Sequence, residues 1–97
     1  MPNDYYLFRA PDNFMSPRYQ AGDPVIFSAA QEPTENDEAV LQIRVDDCLY
    51  RNTVARIAWM DETNVGLQTH NPSETTSIPR ADIIAMHRVV PLAEYLA

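Results

Sequence analysis

The chain has 97 residues, 45% of them apolar, and a formal net charge of -7, which describes one acidic globular domain, able to bury roughly two-thirds of its unfolded surface. All seven cations are arginine, and so acidic a surface repels a phosphate backbone, which excludes unaided DNA or RNA binding as the expected role. No long apolar run or basic-then-apolar leader predicts a membrane span or secretory signal, and the single Cys48 cannot form an internal disulfide, as suits a reducing cytoplasm.

Asp4 to Ala10 is rich in aromatic residues and closes at Pro11-Asp12, which predicts a first strand. Asn13 to Val25 is a tight turn segment. Pro17 suits the first turn of a short helix, with Asn13 or Ser16 placed to cap it. Gly22-Asp23 reverses the chain, because glycine reaches positive φ at little cost and aspartate tolerates such turns. Val25 to Ala29 follows as a buried strand. Ala30 to Asp37 is polar, holds Pro33 and reads as a surface loop.

Glu38 to Asp46 alternates, with Leu41, Ile43 and Val45 on one side and Gln42, Arg44 and Asp46 on the other. Asp46-Asp47 predicts a hairpin turn into a long strand from Cys48 to Trp59. The apolar residues of that strand change phase between Val54 and Ile57, which predicts a bulge or bend. Asp61 to Asn64 is another turn, and Val65 to Thr69 another strand. His70 to Ser73 loops back towards a short edge strand at Thr75 to Ile78, ending at Pro79. Ala81 to Val90 is apolar on both faces, and its β-branched residues favour a strand. Pro91 opens a last helical turn through Leu92, Glu94 and Tyr95. The expected fold is mainly β: a bent, mostly antiparallel sheet, or half-open barrel, spanning residues 1–97 as a single domain, with a short helical turn after the first strand.

The spacing Met15-x-Pro17-x-Tyr19-x-x-Gly22-Asp23-x-Val25 resembles the active-site segment of the LexA and phage-repressor C-terminal domains, which are self-cleaving serine peptidases. The first strand, the Asp46-Asp47 hairpin, the Asn71-Pro72 loop, and Ile78-Pro79-Arg80 before Ile83 to Val89 resemble that family in the same order. The resemblance implies a Ser–Lys dyad, in which desolvation lowers the pKa of a lysine and its neutral amine takes the serine proton. The serine position, just before Met15, holds Phe14. The lysine position, in a Val-Lys-Arg-Leu type run, falls in Val54-Ala55-Arg56-Ile57 and holds Ala55. Arg56 cannot replace the base, since a guanidinium keeps its proton near neutral pH.

The degenerate dyad positions Phe14 and Ala55 therefore predict no enzyme activity and no catalytic residues. The small-residue–Gly bond that the family cuts is missing as well, since the only glycines are Gly22 and Gly66. Ser16 sits beside no evident base. His70 and His87 have neither metal-ligand spacing nor a cysteine pair, and no cofactor is expected. Phe14 is expected to fill the former substrate cleft rather than leave it open.

The resemblance implies a partner, which is a second copy of the chain in a homodimer or larger assembly. DNA would be reached only through a separate N-terminal domain, the DNA-binding head that this chain lacks. Ile84, Met86 and Val90 are the expected self-association residues, with His87 facing inward or at the rim. The alternative is a stand-alone module that binds a peptide or an antirepressor protein. No membrane partner is expected, and the expected location is cytoplasmic.

Overall fold

The computed structural model describes residues 4–96. Its strands are β1 (Tyr5–Arg9), β2 (Pro24–Ser28), β3 (Glu38–Arg44), β4 (Tyr50–Met60), β5 (Asn64–His70), β6 (Ser73–Pro79) and β7 (Ile83–Val89). A single 3-10 turn at Arg80–Asp82 separates β6 from β7, and a short helix α1 (Leu92–Leu96) follows. All strands belong to one sheet in the order β1-β2-β7-β3-β4-β5-β6, and every pairing is antiparallel. The fold is thus mainly β, as expected.

The apolar residues of β3 and β4 decide how the sheet is covered. Side chains alternate between faces along a strand, yet Val40 and Val54 are buried on one face while Ala39, Leu41, Ala55 and Ile57 are buried on the other. Each face carries its own cluster. One joins Leu41, Ile43, Ala55, Ile57, Val65 and Leu67. Ile78 from the far edge and Met86 from β7 both pack against that cluster, so the sheet must curl over it. The other cluster joins Val25, Val40, Val54 and Val89 beneath Ala10 and Met15. Here the β1–β2 connection acts as a lid.

That connection contains a single turn rather than a helix. Tyr19 N–H donates to the Met15 carbonyl (3.1 Å) and Ser16 N–H to that of Asn13 (3.0 Å). Asn13 does not cap the turn as expected; its side-chain oxygen accepts from Ala21 N–H at 2.8 Å and ties the two ends of the loop together. Gly22, at φ 89°, makes the final reversal, in a region that costs any residue with a Cβ. Its N–H reaches the Ala10 carbonyl (2.8 Å), and Asp23 accepts from Gln20 N–H (2.9 Å).

Two further expectations are corrected. Val45 is 61% exposed, not buried with Leu41 and Ile43. The ladder stops at Arg44, where Asp46 draws the chain into a turn by accepting the N–H groups of Cys48 (2.8 Å) and Leu49 (2.9 Å). The phase change in β4 reflects burial on both faces rather than a bulge between Val54 and Ile57. The register slip against β5 comes later, between Ile57 and Trp59. Among the described residues no helix is long and apolar enough to cross a membrane.

Candidate functional site

The curled face of β4, β5 and β6 forms a cleft of about 250 Å³. Period-two alternation brings Arg51, Thr53 and Ala55 of β4 to its floor. The β5–β6 register sets Leu67 opposite Thr76 and Thr69 opposite Glu74, on the same face. Ile78 of β6, with Phe14 and Pro72, completes the lining.

Phe14 is held there by its backbone. Its carbonyl accepts the N–H groups of His70, at the end of β5, and Asn71, in the turn that follows, each at 2.8 Å. Its own N–H donates to the Asp12 carboxylate at 3.0 Å. The turn is anchored again at β3, where Glu38 accepts from Arg18 Nε (3.0 Å), Arg18 Nη2 (3.2 Å) and the Tyr19 hydroxyl (3.1 Å). Burial, and then the Glu38 charge, push the Tyr19 phenol up to about 12. It therefore stays neutral, and able to donate, across the physiological range.

Both positions at which the family resemblance places a dyad line this one cleft. Ala55 is 2% exposed and Phe14 39% exposed. Phe14 forms part of the wall, and the cleft stays open, so the expectation that it would fill the space is corrected. The physical reason is its position: the backbone bonds fix it at the rim, half in solvent. Ser16 lies outside this lining. His87 belongs to the opposite face, stacked on Phe27 with ring centroids 5.5 Å apart. The His70 backbone serves the Phe14 carbonyl, while its side chain is exposed.

Of the expected association residues, Ile84 is 44% exposed. With Met86 and His87 it lines a groove of about 370 Å³ along β7, walled by Ala29, Glu32 and Arg80. The groove exists because β2 pairs with β7 only at Val89 and Arg88, which leaves the start of β7 open on that side. Met86 also packs against the core. Val90 is 3% exposed, and its N–H donates to the Ile26 carbonyl at 2.8 Å. It is a core residue, corrected from the surface, because β2 covers the end of β7.

Sequence reading named Ala55 but missed the rest of the cleft floor. The signal was present, since Arg51 and Thr53 share its face at two-residue spacing. The contribution of β6 was hidden, because its register against β5 depends on the turn between them. Comparison with protein-family models, with curated proteins and with solved structures finds no match.

Proposed function

We propose that this chain is a catalytically inactive, peptidase-like domain that mediates self-association of a phage-repressor-type transcriptional regulator in the cytoplasm. The observation that supports this reading is the shared cleft of Phe14 and Ala55. In an active relative those two positions would hold a hydroxyl and an amine within hydrogen-bond reach. An aromatic ring and a methyl group replace them, and neither can accept or donate a proton. Pairing of such domains would bring two N-terminal DNA-binding heads onto adjacent half-sites and raise affinity through effective concentration. Incubation at pH ~9, where a Ser–Lys dyad would hold more of the neutral amine, tests inactivity. The chain stays intact on this reading, and time-dependent cleavage abolished by Ser16→Ala overturns it. Sedimentation tests association, and a monomer at high micromolar concentration overturns that half.

One observation favours a second reading, as a binding module for a peptide or an antirepressor segment. The cleft is open, and Arg51 and Glu74 add opposite charges to its hydroxyl-bearing and apolar lining. Loss of a captured peptide in Leu67→Arg, with no change in association, would favour the module over the repressor reading.

A further inference from the structure

The sheet has two outer edges, and they differ in character. β6 carries Ser73, Glu74, Thr75, Thr76 and Ser77, all exposed, and ends at Pro79. Polar side chains and a terminal proline are the usual protection of an edge. β1 has none. Between Asp4 and Arg9 it reads Tyr-Tyr-Leu-Phe, with Tyr6 55% and Leu7 57% exposed on opposite faces. The Tyr95 ring of α1 lies 5.6 Å from Tyr5 and extends the apolar surface on one side.

The backbone of β1 gives this edge a definite register. Asp4 and Ala10 bond to Ala29 and Asp23 on the β2 side, so the even-numbered residues face β2. Pro24, which has no N–H, stands opposite Arg9, in agreement. The N–H and carbonyl groups of Tyr5, Leu7 and Arg9 therefore point away from the sheet.

We infer that the outer edge of β1 pairs antiparallel with β1 of a second copy of this chain, centred on Leu7. This rests on the self-association proposed above and names its surface. With Leu7 opposite its own counterpart, Tyr5 falls opposite Arg9 in both directions, and all three outward-facing residues find partners. A shift by two residues leaves one of the three unpaired. Antiparallel pairing also sets each Asp4 beside the Arg9 end of the other copy, whereas parallel pairing would align like charges. On one face Tyr6 meets Phe8 of the second copy and lengthens the aromatic row that already joins Tyr6 to Phe27 at 5.7 Å; cross-strand aromatic pairs favour such a junction. The β7 groove is a poorer surface for self-pairing, because a recess does not complement its own copy.

Sedimentation and cysteine cross-linking on the whole chain, in a Cys48→Ser background, test the register. Residues directly opposite in a hydrogen-bonded antiparallel pair have Cα atoms about 5.5 Å apart, within disulfide reach. Leu7→Cys is expected to cross-link with itself on mild oxidation. Tyr5→Cys and Arg9→Cys are expected to cross-link only when mixed. Leu7→Lys sets two ammonium groups against each other and is expected to weaken association at least about tenfold, while Thr75→Lys on β6 leaves it unchanged. A dimer that tolerates Leu7→Lys, or in which Leu7→Cys does not link, overturns the β1 pairing and leaves self-association standing. A parent chain that is monomeric throughout overturns both. Far-UV circular dichroism confirms that each variant is folded.

Discussion

Placing a serine and a lysine at the two positions where the proposed resemblance puts a dyad is the most demanding test of the cleft. In Phe14→Ser/Ala55→Lys, the aromatic loss is modest. Phe14 is 39% exposed, and full burial of such a side chain is worth about 1.5–3 kcal/mol, so its partial burial amounts to ~1–2 kcal/mol. That is below the ~3–5 kcal/mol typical of a phenylalanine removed from a closed core. The amine is costlier. Ala55 is 2% exposed, so desolvation should depress the pKa of the new ammonium, and each unit corresponds to ~1.4 kcal/mol. A depression of ~2 units costs ~3 kcal/mol at neutral pH, which a domain stable by ~5–15 kcal/mol survives. The sign of its pH dependence is fixed. A lysine whose folded pKa lies below its unfolded value carries its full penalty below the folded pKa and sheds it as pH rises towards about 10.4. Urea unfolding followed by the single Trp59 should therefore show the gap between variant and parent narrowing from pH ~7 to pH ~9.5, and NMR titration should place the amine below its ordinary value. The variant is then expected to cleave an Ala-Gly peptide supplied in trans. A folded variant whose amine titrates near 10.4, with a pH-independent gap, would refute desolvation of a side chain placed at the buried Ala55.

Other perturbations read the scaffold that holds the cleft. A Cβ at Gly66 would overlap the indole of Trp59, so Gly66→Ala should cost ~1–3 kcal/mol by overpacking and shift the Trp59 emission; an unchanged unfolding midpoint would count against the packing. Asp61 accepts the N–H groups of Thr63 (2.9 Å) and Asn64 (2.7 Å), which hold its carboxyl below the usual range. A depressed folded pKa contributes stability above the unfolded value that is lost as pH falls through the folded one. Asp61→Ala should accordingly lower the melting temperature at pH 7, with the gap to the parent closing below pH ~3.8. The raised Tyr19 pKa has the opposite sense. Its contribution is complete below pH 10, declines above it and is gone as pH rises through about 12, so Tyr19→Phe should blunt the alkaline loss of stability seen in the parent.

The sequence by itself determined the strand content and the order of the elements, because these rest on local chemistry. Aromatic and β-branched runs favour extended backbone, and Gly22 and Asp46 set turns within a few residues of themselves. The juxtaposition at the cleft was legible only in part. Only the resemblance carried by the motif around Met15 and the run around Val54 implied that Phe14 and Ala55 meet, although 40 residues separate them in the chain. The backbone bonds that hold Phe14 at the rim run from Asn71 and His70, whose positions depend on how β5 and β6 pair. Tertiary structure alone decided which apolar surfaces are covered. Val54 and Ala55 are adjacent apolar residues in sequence, yet one faces the lid and the other the cleft. Val90 and Leu7 are equally apolar, yet one is sealed beneath β2 and the other lies on an open edge. Hydrophobicity specifies that a side chain is driven towards cover, but the strand order determines whether a neighbour is there to provide it.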